Sequence, residues 1–227
     1  MIPAPVLLVL VAIEGWSENG AEWNYALLRK VLESIPGVVV VVPSYLDAKG
    51  ILSQFRSHLT VEQYAVSVEA AYRKAQKDYP NALILVMGHS LGGIIARYLC
   101  KTRLFQAKNM ILVGTPNHGI DFGLVLNGFL KFLANKRLCN VPVFNQLLMG
   151  SKFLAKLNKC GVPPAACYIR GAKDNIVAPW SSDPLSQAIV VDCDHKLFPR
   201  EGKMMESSAI PVVEKIVKKR LAELASS

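Results

Sequence analysis

Membrane-length apolar runs, paired cysteine motifs and linker-like composition are all missing from this chain of 227 residues. No apolar run reaches the ~18–20 residues that a membrane-spanning helix needs. The apolar start, Ile2 to Ile13, has neither a basic leader nor a small-residue cleavage site, so it reads as a first strand rather than an export signal. A cytoplasmic location is the corresponding expectation. The five cysteines (Cys100, Cys139, Cys160, Cys167, Cys193) form an odd set without C-x-x-C spacing. That argues against a structural zinc site or a disulfide framework. It leaves free buried thiols or, as the alternative, a single Cys139–Cys160 bridge. Neither a metal nor an organic cofactor is implied. There is no internal repeat, low-complexity tract or linker, and one domain over 1–227 is expected.

What the chain does have is apolar mass. Hydrophobic residues make up 52% and mean hydropathy is positive, which excludes disorder as the main state. The net charge is +9, with one cluster at Lys215, Lys218, Lys219 and Arg220. No nucleic-acid reading motif accompanies it, so no nucleic-acid partner is expected. A solvated helix face explains the cluster, and weak attraction to an anionic membrane or lipid interface stays open. Nothing here encodes an oligomeric state.

The apolar residues alternate between two patterns. Continuous runs rich in Val, Leu and Ile predict buried strands at Val6–Ile13, Val38–Val42, Leu83–Met87, Asn109–Val113, Ala165–Arg170 and Ala188–Val191. Helical spacing predicts helices over about Gly20–Ser34, Thr60–Tyr79, the residues after Gly92 to about Lys101, and Ser208–Leu224. Thr60 with Gln63 has the form of a capping box. Repeated strand–helix alternation implies a doubly wound, mostly parallel sheet of six strands with helices on both faces. The stretch 120–160 interrupts the alternation. From Phe122 to Arg137 only Asn127, Lys131 and Asn135 make a polar stripe, and a short helix is expected over Val143–Leu148. This segment is either a covering helix buried on several sides or a helical cap or lid. In the second case Phe122, Phe129, Leu130 and Leu133 would face a substrate cavity.

Chemistry concentrates after the third strand. Gly88-His89-Ser90-Leu91-Gly92 is a G-x-S-x-G set between a predicted strand and a predicted helix, the context of a nucleophile elbow. A serine hydroxyl needs a base, and the base an orienting acid. The chain has four histidines, His58, His89, His118 and His195. His195 follows the sixth strand, at the carboxyl edge where open α/β sheets bind ligands, and is preferred over His118. Asp174, in the loop after the fifth strand, gives the order Ser, acid, His that an elbow of this kind uses. Asp183 is the fallback. Asp192 and Asp194 lie too near His195 in sequence and read as solvated or loop-capping. The backbone N–H groups of Leu91 and Trp16 are the expected oxyanion donors, with Gly15 allowing close approach. Gly15, His89 and Val177 are expected around the substrate.

These residues resemble the α/β-hydrolase family, and within it the lipases and carboxylesterases, including the inositol-deacylase-like hydrolases. The resemblance rests on Gly88–Arg97, on Gly114-Thr115-Pro116-Asn117-His118-Gly119, and on Ser151–Leu154 followed by Leu157. It implies a reduced, six-stranded α/β-hydrolase fold without the family's first two strands, and a lid closed by the segment near 151–157. It implies cleavage of a small-molecule ester or lipid through an acyl-enzyme. The chain departs from the family at Glu14-Gly15, where His-Gly is usual. Thioesterase, amidase, polyester hydrolase and acyltransferase chemistry use the same three residues and stay open.

Overall fold

The computed structural model describes residues 5–15, 25–43, 59–121, 142–159, 161–198 and 208–226. The expected helix over Phe122–Arg137, with Phe122, Phe129, Leu130 and Leu133, lies outside them, as do Trp16, His58, Cys139 and Cys160.

Six strands form one sheet: β1 (Leu8–Ile13), β2 (Val38–Val41), β3 (Leu83–His89), β4 (Met110–Val113), β5 (Cys167–Gly171) and β6 (Ile189–Val191). Their order is β2-β1-β3-β4-β5-β6, and every neighbouring pair is parallel. The chain starts at β1, steps outward to β2, then crosses back to β3 on the other side of β1. The loops after β1 and β3 therefore diverge at the carboxyl edge between these strands, the switch point where such sheets open a crevice.

Alternation along each strand sorts side chains to the two faces. Val9, Val11, Ile13, Ile84, Val86 and Leu112 pack under α2 (Val61–Asp78) and α3 (Leu91–Lys101). Leu8, Leu10, Leu85, Met87, Ile111 and Val113 pack under α1 (Ala26–Glu33) and α7 (Ile210–Ala225). Helices thus cover both faces, which is why strands β1, β3 and β4 are apolar at consecutive positions rather than alternate ones.

Local signals explain where the helices begin. Thr60 Oγ1 accepts from the Gln63 N–H at 3.4 Å and the Gln63 side chain accepts from the Thr60 N–H at 2.8 Å, the reciprocal cap read in the sequence. Tyr64, Val68, Tyr72 and Ala75 then face the core along α2. Three short helices, α4 (Pro142–Leu147), α5 (Lys152–Asn158) and α6 (Pro179–Ser182), complete the described α-helices, and a single 3-10 turn covers Ala107–Asn109. The Ser151 hydroxyl caps α5 by accepting from the Leu154 N–H. Helix α6 was not expected from the sequence. Ile120 and Leu148 form an isolated parallel bridge, which ties the start of the interrupting segment to its far side. Among the described residues no helix is long and apolar enough to cross a membrane.

Candidate active site

The elbow is a matter of backbone contact. Ser90 sits between β3 and α3 at φ 52°, in a region L-residues avoid. Its N–H is held by the Val113 carbonyl at 2.9 Å, and its own carbonyl accepts from the Gly93 N–H at 3.0 Å. The flanking glycines let backbones touch. A Cβ on Gly88 would lie 2.4 Å from the Gly92 oxygen, and one on Gly92 would lie 2.2 Å from the Ile13 oxygen and 2.6 Å from that of Glu14. Helix α3 therefore presses directly on the end of β1. Its first N–H, from Leu91, is one of the donors a helix leaves without an intrahelical acceptor, and it points from the positive end of the helix dipole.

Three loops at the carboxyl edge bring Ser90, His195 and Asp174 into one line. The Ser90 Oγ to His195 Nε2 distance is 3.0 Å. His195 Nδ1 lies 2.8 Å from Asp174 Oδ2. The Asp174 side chain is 2% exposed and that of His195 12%, so the pair is shielded from solvent. Asp174 Oδ1 accepts two backbone bonds, from the Ile176 and Val177 N–H groups, both at 2.9 Å. Burial acts to raise the Asp174 carboxyl, but the His195 hydrogen bond and charge, with the two loop N–H groups, outweigh it and hold the acid below its usual value. An ionised Asp174 can only accept. Nδ1 of His195 therefore carries the proton of that bond, and in the neutral imidazole Nε2 is the acceptor facing the Ser90 hydroxyl. Backbone bonds from Ala172 to Val191 and from Lys173 to Cys193 clamp the acid loop against the histidine loop.

The remaining candidates fall elsewhere. Asp183 Oδ1 accepts from the Gln187 and Ala188 N–H groups at 2.7 and 2.9 Å, a loop-capping task away from His195. Asp192 pairs with Lys173, and Asp194 accepts from the Lys196 N–H. His118 packs against Trp180 with ring centroids 6.4 Å apart, and its N–H donates to Ser181 Oγ. Burial, then the Arg97 charge, lower its affinity for a proton. Two residues expected around the substrate are buried in this structure. Val177 is fully buried and donates its N–H to Asp174 Oδ1. His89 is 3% exposed and its Nε2 lies 2.9 Å from the His195 carbonyl oxygen. Gly15 ends the described part of the β1 loop as a buried residue, directly after Glu14, which is also buried.

Sequence reasoning missed a second polar cluster under the elbow helix. Arg97 is 2% exposed and faces amides instead of a carboxylate. Its Nη1 donates to the Asn117 carbonyl and side-chain oxygens, both at 3.2 Å, and its Nη2 to Asn158 Oδ1 at 2.6 Å. Asn158 closes the ring by donating to the Asn117 carbonyl. Burial pulls the guanidinium down to about 10, so at neutral pH the charge stays. The cluster fastens the Gly114–Gly119 loop and α5 to the elbow helix. A polar residue inside the otherwise apolar α3 run was the available signal. Near the site, Cys193 is an inert thiol: burial, then Asp194, Asp174 and Asp192, push it up to about 11.

No protein-family model matches this chain, and no curated protein matches it in sequence. Solved structures do match in shape. The mature form of a lipase from Bacillus licheniformis is similar over 94% of this chain and 93% of its own, with a TM-score of 0.62 and 15% identity. A structure from a pair of metagenome-derived lipolytic enzymes is similar over 99% and 95%, with a TM-score of 0.66 and 12% identity. A thioesterase from the prodiginine pathway of Streptomyces coelicolor is similar over 92% and 85%, with a TM-score of 0.52 and 13% identity. The fold is thus that of the α/β-hydrolases, in the form found in lipases and esterases. At these identities the likeness concerns the fold.

Proposed function

We propose that this protein is a serine hydrolase of carboxylic esters, acting through an acyl-enzyme. One observation carries the reading: the line Asp174–His195–Ser90 ends on a serine held at positive φ at the carboxyl edge of the sheet. In the reaction His195 Nε2 takes the Ser90 proton as Oγ attacks the ester carbonyl. Asp174 holds the imidazolium that forms. The Leu91 N–H, with that of Trp16, binds the oxyanion. Collapse of the tetrahedral intermediate expels the alcohol, which takes the proton from His195. Water then repeats the cycle on the acyl-enzyme and releases the acid. The apolar stretch 120–160, including Phe122, Phe129, Leu130 and Leu133, is proposed as the cover and acyl-binding wall. An ester or lipid is the substrate class that an apolar wall beside a neutral oxyanion site suits. The test is hydrolysis of a nitrophenyl ester series of rising chain length, with Ser90→Ala as control and fluorophosphonate labelling of Ser90. A Ser90→Ala protein that hydrolyses at the parent rate would refute the reading. Likeness to a thioesterase favours one second reading, thioester cleavage by the same residues, and matched ester and thioester substrates separate the two.

A further inference from the structure

His89 stands next to the nucleophile in sequence yet belongs to the other side of the sheet. It is the last residue of β3, and its ring is buried beneath the carboxyl edge. There it meets His195 twice. Its Nε2 is 2.9 Å from the His195 carbonyl oxygen, and the two rings lie 5.2 Å apart at 36°. A carbonyl oxygen only accepts, so Nε2 of His89 carries the proton of this bond. Phe198 holds the outer side of the His89 ring edge-on at 5.7 Å, and Tyr25 in turn packs edge-on against Phe198 at 5.1 Å. The ring is thereby fixed between the histidine loop and the α1 side of the core.

We infer that His89 is a positioning residue for the general base. This rests on the serine-hydrolase reading above. The histidine loop leaves the sheet at β6, the edge strand, whose Ile189 and Val190 are about half exposed. Backbone bonds tie this loop to the acid loop beside it, at Ala172–Val191 and Lys173–Cys193, and these do not reach the strand that leads into Ser90. His89 adds a reference from the end of the buried strand that leads directly into Ser90. The backbone of His195 is tied to residue 89 while its side chain reaches residue 90. The separation between base and nucleophile is then referenced to two adjacent residues, the last of β3 and the first of the turn that follows it. Proton transfer over a 3.0 Å contact depends on that separation.

The test compares His89→Phe, which keeps an aromatic ring but loses the donor, with His89→Gln, whose amide N–H can reach the same carbonyl. His89→Phe should lower kcat for a nitrophenyl ester about 30-fold with KM unchanged within about twofold, as expected for a sub-ångström misplacement. His89→Gln should recover to within about threefold of the parent. The low-field proton signal of the His195 Nδ1–H bond to Asp174 gives a readout independent of turnover. It should persist in His89→Gln and broaden or vanish in His89→Phe at equal thermal stability. If His89→Phe does not fold, His89→Met serves as the apolar variant. Parent kcat in the apolar variant, equal losses in both variants, or an effect confined to KM would each overturn the inference. A parent protein whose Ser90 resists fluorophosphonate would instead refute the hydrolase reading, and the low-field signal would still decide the role of His89.

Discussion

Replacing Asp174 with asparagine separates geometry from charge. The parent carboxylate accepts on both oxygens: Oδ1 from the Ile176 and Val177 N–H groups at 2.9 Å, Oδ2 from His195 Nδ1 at 2.8 Å. Asparagine can keep only one oxygen. Turned with its amide NH2 toward the loop, it sets two backbone donors against donors that cannot change. Turned the other way, it keeps both loop bonds and meets the single Nδ1–H of His195, which can move its proton to Nε2. The second arrangement is favoured, and it disables the base. Nε2–H then donates to Ser90 Oγ and cannot take its proton. Loss of the correct tautomer should cost about 10⁴-fold in kcat, or about 5.5 kcal/mol of transition-state stabilisation. KM should change little. Because the loop bonds survive, the stability loss should stay at about 1–3 kcal/mol. Steady-state ester hydrolysis and urea unfolding measure the two quantities. Retention of more than a tenth of parent kcat would refute the argument, and Asp183→Asn, whose side chain meets Gln187, Ala188 and Arg170, should stay within about threefold. The substitution also has a signature in acid. The Asp174 carboxyl is held below its usual 3.8, so its contribution to stability is fully present above that pH and is lost as pH falls through the lower, folded-state value. Asp174→Asn should remove that component of acid destabilisation below about pH 4.

Two further substitutions test the scaffold beneath the site. Gly92→Ala drives a Cβ to 2.2 Å from the Ile13 carbonyl oxygen, a backbone atom at the end of β1, which is paired on both sides. It should destabilise by about 3 kcal/mol or more in urea unfolding, and a loss under 1 kcal/mol would show that the elbow helix is free to lift. Arg97→Lys exchanges a fork that reaches both Asn117 and Asn158 for a single ammonium. The expected cost is about 2 kcal/mol, with kcat falling as the Gly114–Gly119 loop loosens, and an unchanged unfolding midpoint would refute the hub.

Much of this fold was legible because its information is local. The continuous apolar runs at Leu8–Ile13, Leu83–Met87 and Met110–Val113 are what a strand covered on both faces requires, and all three lie at the centre of the sheet. Thr60 and Gln63 declare a helix start within four residues. The elbow, too, is written in one short stretch, since Gly88 and Gly92 are demanded by contacts of their own turn and of β1. What stayed hidden depends on partners far away in the chain. Ala188–Val191 reads as another buried strand, yet Ile189 and Val190 are exposed, because an apolar run carries no mark of whether it takes a central or an edge place. Helix α6 starts at Pro179 and is too short to show a period.

His89 is the sharpest case. Its ring packs beside Phe198 at the end of β3, whereas Ser90 sits in the turn beyond it at φ 52°. Its contact with the His195 carbonyl, 106 residues away, could not be deduced locally, because it requires β6 to lie two strands beyond β4 and its loop to fold back over the sheet. A local motif can therefore propose a nucleophile. The distance between Ser90 and His195 depends on the sheet order, and the contact that His89 makes with His195 is recognised only once the strands are in place.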